Sequence, residues 1–113
     1  MTTINNRVQL VGNLGATPEV KSFDGGNKVA RFSVATSDNY TNKKGEKVTN
    51  TNWHNVVAWG KLADIAQDLF QKGSQVSIDG KLTTRNYTDK QGVKKYITEV
   101  VANELLLMDK NNN

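Results

Sequence analysis

The side chains of this chain whose types and spacing can do chemistry are aromatic rings set among cations. Trp53 and Trp59 are separated by an even number of positions. Side chains in an extended segment alternate between two faces, so both indoles share one face with Asn55 and Val57, while His54, Val56 and Ala58 take the other. The second set suits a tight interior, where two indoles would be hard to pack. From Val76 onward the pattern repeats. Val76, Ile78, Gly80 and Leu82 alternate with Ser77, Asp79, Lys81 and Thr83, and the latter set continues to Arg85 and Tyr87. Tyr87 therefore shares its face with two cations. Tyr40 stands in a polar stretch beside Lys43, Lys44 and Lys47. A core ring has apolar neighbours on its own face, whereas a ring flanked by cations is fitted to a ligand with both π-faces and negative charge. An unpaired nucleic-acid strand presents both. Phe32, with Ala30 and Val34 on its face, and Phe70 are expected in the core.

This reading gives Tyr40, Trp53, Trp59 and Tyr87 as a stacking platform, with Lys43, Lys44, Lys47, Lys61, Lys72, Arg85 and Lys90 as candidate phosphate contacts. Stacking on any base gives affinity with little sequence preference, and the expected partner is single-stranded DNA. The overall charge agrees but carries less weight: fifteen Lys and Arg against eleven Asp and Glu leave +4, a surplus that favours polyanions without requiring them.

Other chemistries lack their residues. With no cysteine, thiolate nucleophiles, disulfides and zinc–thiolate sites are excluded. The acids are scattered over turns and one helical segment, with no carboxylate cluster for metal-assisted hydrolysis of the thermonuclease kind. The single histidine, His54, has no metal-ligand neighbour. No catalytic residue, cofactor or metal is therefore expected. The N-terminus lacks the features of a secretory signal, and no apolar run approaches the ~20 residues that span a bilayer. No membrane association is expected, and the setting read from these features is cytoplasmic; a DNA partner puts the expected place at the nucleoid.

The elements that must position these side chains are mostly strands. Alternating segments rich in Val, Thr, Tyr and Trp run over 4–14, 28–36, 51–60, 75–87 and 93–107. Phe23–Asn27 reads as a reversal between the first two strands, 38–51 as a protruding lysine-tipped hairpin, and Thr88–Gly92 as a reversal between the last two. Pro18 fixes a turn after the first strand. One segment has helical period: Leu62, Ile65, Ala66, Leu69 and Phe70 form an apolar stripe, with Lys72 expected in the last turn and Gly73 at the exit. An all-β chain of five strands with one helix between strands 3 and 4 has the order of the OB-fold, a partly open Greek-key barrel. Residues 1–107 form the expected domain and 108–113 a short polar tail.

The motifs also resemble a family. Asn6-Arg7-Val8-Gln9-Leu10-Val11-Gly12-Asn13-Leu14-Gly15, Pro18-Glu19-Val20, Trp53-His54-Asn55-Val56-Val57, Gly60-Lys61-Leu62-Ala63, Lys72-Gly73-Ser74-Gln75-Val76 and Thr98-Glu99-Val100-Val101 are similar, in order and spacing, to bacterial single-stranded DNA-binding proteins of replication and repair. The likeness spans about residues 4 to 103. It implies an OB-fold homotetramer that wraps single-stranded DNA in replication, recombination and repair. The family's stacking aromatics fall on Tyr40, Trp53, Trp59 and Tyr87, the same four rings already chosen from strand alternation and from cationic neighbours. The resemblance also implies a subunit contact at His54, and contacts between dimers at Arg7, Gln75 and Asp79. Typical members continue into a flexible linker and an acidic tip. This sequence stops at Asn113 as a truncated or short form, which puts recruitment of repair proteins through such a tip in doubt.

Overall fold

A computed structural model describes residues 6–108; the expected strand start at Ile4 and the polar tail after Met108 lie outside them. Six strands and one α-helix follow in the order β1 (Val8–Leu14), β2 (Glu19–Ser22), β3 (Lys28–Thr41), β4 (Lys47–Trp59), α1 (Lys61–Leu69), β5 (Gln75–Thr88) and β6 (Lys94–Leu107). The sheet order is β1-β5-β6-β4-β3-β2, and β1 also pairs with β3 through Asn13↔Ala35 and Leu14↔Val34. That pairing closes β1, β3, β4, β5 and β6 into the five-stranded barrel of an OB-fold, with α1 between its third and fourth strands, as the sequence order implied. Two seams are short: β1–β3, and the parallel β4–β6 joint at Val56↔Val100 and Val57↔Val101.

The unexpected strand is β2. It pairs with the start of β3, Glu19↔Arg31 to Ser22↔Lys28, and Val20 is its single apolar residue, too little for a recognisable alternation. The Phe23–Asn27 reversal therefore joins β2 to β3, not the first barrel strand to the second.

The interior is filled from the faces that alternation assigned to it. Val34, Val56, Val76 and Ile78 are fully buried, with Ala30, Phe32, Ala58 and Val100 around them. The helix caps this core with Ala63 and Ala66. Phe70 leaves the helix in an extended conformation and meets Phe32 edge-to-face at 5.6 Å between centroids. Seating Phe70 there ends the helix at Leu69, so Lys72 lies beyond its last turn. Gly73 shapes the following Gln71–Ser74 turn, not the helix exit. Leu69, expected on the buried stripe, is half exposed.

Two ribbons project from the barrel. β3 and β4 stay paired out to Thr41↔Lys47, and β5 and β6 out to Thr88↔Lys94. The radius of gyration is accordingly 16.3 Å, against about 13 Å for a compact chain of this length. Both tips use one device. Asn42 Oδ1 accepts the N–H groups of Lys44 and Glu46 at 2.9 and 3.0 Å, and Asp89 Oδ1 accepts those of Gln91 and Val93 at 2.9 Å each. This is the Asx turn, in which a short side chain replaces backbone pairing.

Candidate nucleic-acid interface

The β3–β4 register runs without a bulge from Val29↔Trp59 to Thr41↔Lys47. On the outer face it sets Trp59 opposite Val29, Val57 opposite Arg31, Asn55 opposite Ser33 and Trp53 opposite Ala35. Beyond β4 on the same face come Glu99 and Ile97 of β6 and then Arg85 and Tyr87 of β5, with Arg85 opposite Ile97 and Tyr87 opposite Lys95. Alternation thus placed three of the four aromatics on one surface. Trp53 is 60% exposed, Trp59 49% and Tyr87 44%.

Val57 shares their parity yet is 3% exposed, because the outer face is concave there. An open groove of about 310 Å³ is lined by Arg31, Ser33, Asn55, Val57, Arg85 and Glu99, among others. A second, of about 440 Å³, shares Arg31 and Ser33 and ends at Trp53 and Gly15–Thr17. Together they run from the indole to the two arginines.

Gly15 seats that indole. A Cβ on Gly15 would lie 2.6 Å from Cζ3 and 2.8 Å from Cη2 of Trp53, so the ring rests against bare backbone while most of its surface stays open. The glycine is there for close approach, since its φ is not positive.

Tyr40 departs from the expected platform. It pairs with Val48 and shares parity with Thr36, Asp38 and His54, the face that continues from the barrel interior. Beyond the barrel both ribbon faces are open, so Tyr40 is half exposed although it faces away from Trp53. Lys43 and Lys44 occupy the tip of that ribbon and Lys47 its first pair on β4. Lys90 lies in the β5–β6 turn, where Lys95 pairs with Asp89 at 3.6 Å. Lys61 begins α1, and Lys72 follows the helix, its N–H donating to Thr17 Oγ1 at 3.4 Å.

Arg85 is engaged within the protein. Its Nε and Nη2 donate to Glu99 at 3.1 and 3.3 Å, which raises its already high pKa through hydrogen bonding and then charge. Arg31 Nη1 donates to the same carboxylate at 2.9 Å. Sequence reading missed Arg31 and Glu99; the even spacing of Arg31 from Ser33 and Ala35 signalled an outward side chain but not what it meets.

The positions implied for subunit contacts lie elsewhere. His54 Nε2 is 2.9 Å from Thr36 Oγ1 on the inner ribbon face. Arg7 Nη2 and Nε donate to Asp79 at 2.8 and 3.3 Å; the hydrogen bond from Arg7 is the main cause holding the Asp79 carboxyl below its ordinary range. Gln75 pairs with Asn13 on β1. Among the described residues there is no group of three or more metal-ligating His, Cys, Asp or Glu side chains, and no helix is long and apolar enough to cross a membrane.

A closed five-stranded OB barrel with exposed indoles beside an arginine-lined groove defines a nucleic-acid-binding domain of the kind that holds single strands. The profile of the Single-strand binding protein family matches residues 5–108, and the chain belongs to that family. It is 43% identical over 106 residues to Single-stranded DNA-binding protein 1 of Xylella fastidiosa, covering 93% of this chain and 78% of the relative. Its fold superposes on a Plasmodium falciparum SSB in complex with ssDNA at a TM-score of 0.84 and 31% identity, covering 96% of this chain and 99% of the other. A deletion mutant of the Thermus aquaticus single-stranded DNA-binding protein gives a TM-score of 0.79 at 29% identity, covering 92% of this chain and 50% of that one. The family is one of DNA-binding proteins, not enzymes.

Proposed function

We propose that the protein binds and coats single-stranded DNA with little sequence preference, in replication, recombination and repair at the nucleoid. The observation that carries this is the exposed Trp53 indole, seated on Gly15 where a groove leads to two arginines. Trp53, Trp59 and Tyr87 stack bases on the outer face, and Tyr40 takes a base once the strand has wrapped around the ribbon. Lys43, Lys44, Lys47, Lys61, Lys72, Arg85 and Lys90 meet phosphates along the path. A duplex is disfavoured because its base faces are already stacked.

The working unit in this reading is a homotetramer, with His54, Arg7, Gln75 and Asp79 at contacts between copies. Supporting assembly, Val11 is 49% and Leu106 61% exposed on either side of Ser77, an apolar pair on the outer β1-β5-β6 face that also carries Asp79.

Titration with poly-dT at two salt concentrations, followed by tryptophan fluorescence, tests the reading. Strong quenching is expected, with stoichiometric binding at low salt and a log–log salt slope of about −0.7 per phosphate neutralised. Trp53→Ala and Trp59→Ala are expected to weaken binding while keeping the fold. Absence of quenching, or equal affinity for duplex of the same length, would refute it. An equal-length RNA competitor determines whether the sugar is discriminated.

A further inference from the structure

Glu99 is the one buried charged side chain among the described residues, 6% exposed. A carboxylate in that position is costly unless both oxygens find donors. Here both do, and the donors come from strands that are not neighbours: Arg31 from β3, and Arg85 from β5 on the far side of β6. The guanidiniums themselves remain open, with their side chains 43% and 49% exposed. Arg31 spends one nitrogen and Arg85 two on Glu99, so Arg31 Nε and Nη2 and Arg85 Nη1 have no protein acceptor among the described residues. The three side chains share the wall of one groove with Glu19, Ser33 and Asn55; their own charges sum to a net positive, and Glu19, opposite Arg31 in the β2–β3 register, brings the charged lining as a whole to neutral.

A negative group in the groove of a protein that binds a polyanion has two opposing effects. Its own charge repels phosphate. Its hydrogen bonds fix two long side chains that would otherwise lose rotamer freedom on binding, a cost already met before the strand arrives. Which effect wins sets the sign of a substitution. An arginine presents its donors in a rigid planar fork matched to a phosphate, so its orientation counts for more than for a point charge.

We propose that Arg31, Glu99 and Arg85 form a phosphodiester subsite in which Glu99 is a positioning residue: its carboxylate touches no nucleotide but aims the two guanidiniums that do. This rests on the single-stranded DNA reading above. Glu99→Gln keeps the shape, removes the charge that holds the arginines, and sets an amide NH₂ against a guanidinium N–H. Although the variant carries one more net positive charge, its affinity for oligo-dT is expected to fall on the order of tenfold, the equivalent of about one charge-assisted hydrogen bond to phosphate. Its salt slope is expected to become shallower by about 0.7 for each phosphate no longer neutralised.

The test is fluorescence titration of wild type, E99Q, E99D, R31A and the E99Q/R31A double variant with oligo-dT over a salt series, with circular dichroism reporting the fold. Loss of affinity and slope in E99Q, partial rescue in E99D, and a smaller effect of R31A in the E99Q background than alone support the subsite. Affinity equal to or tighter than wild type in folded E99Q overturns it. Should E99Q fail to fold, R31A decides, since truncating a half-exposed side chain spares the core; an unchanged salt slope in R31A overturns the subsite. Wild-type protein that does not bind oligo-dT sinks the single-stranded DNA reading and the subsite with it, whereas wild-type binding with E99Q unaffected sinks the subsite alone.

Discussion

Gly15→Ala separates the position of the Trp53 ring from the stability of the fold. The added Cβ would stand 2.6 Å from Cζ3 and 2.8 Å from Cη2 of the indole. Restoring an ordinary carbon–carbon separation of about 3.5 Å requires the ring to retreat by roughly 1 Å. The ring can do so, being more than half exposed, but it then leaves the mouth of the groove. Because the Gly15 φ is not positive, alanine fits the backbone and narrows the unfolded ensemble, which by itself stabilises by about 0.4–1 kcal/mol. Removing the ring outright with Trp53→Ala sets the upper limit on binding: about 1–3 kcal/mol for one stacked base, or roughly 5- to 160-fold in Kd. Gly15→Ala is expected to lose part of that, several-fold, at unchanged or slightly raised thermal stability. Fluorescence titration with oligo-dT measures the loss, and a double-mutant cycle with Trp53→Ala assigns it. Once Trp53 is gone, Gly15→Ala should have no further effect on affinity. A full loss that persists in the Trp53→Ala background would show that Gly15 acts on the strand by another route, and unchanged affinity in the single variant would show that the ring does not stack.

Three other perturbations address other levels of the molecule. Asp79 titrates below its ordinary range because of Arg7, so the stability the pair contributes is fully present above the unfolded carboxyl pKa of about 3.9 and is lost as pH falls through the lower folded value; the difference in Tm between wild type and Asp79→Asn should be constant above about pH 5 and vanish in stronger acid. Ile78→Ala, at a position with no exposed surface, is expected to cost about 2–5 kcal/mol in urea denaturation while the folded fraction keeps its affinity. Because Tyr40 and Trp53 face opposite ways, Tyr40→Ala should leave binding of a strand of about five nucleotides unchanged and weaken only strands long enough to wrap, whereas Trp53→Ala should weaken both; equal losses on the short strand would refute the two-faced arrangement.

Local pattern carried the strands because the period-2 rule needs only that one face be dry. Val56, Ala58, Val76 and Ile78 against Trp53, Trp59, Arg85 and Tyr87 is legible in the one-dimensional chain, and the barrel sorts them as alternation requires. The helix, too, was legible in its apolar stripe, but its end was not: Phe70 leaves the helical path for Phe32, a residue 38 positions earlier, and no local signal announces that partner. Strand β2 escaped because four residues with one apolar side chain carry no period; its pairing with β3 makes it a strand.

What the sequence determined by itself was the inventory: which rings sit beside cations, which chemistry has no residues to perform it, and which face of each strand is dry. Tertiary structure decided which outward side chains meet. Concavity buried Val57 between two exposed indoles, the unbroken register turned Tyr40 to the reverse of its ribbon, and barrel curvature brought Arg31 and Arg85 to one carboxylate. Alternation tells a residue's face but not the curvature of the sheet or the neighbour across it, and those follow only when distant strands pair.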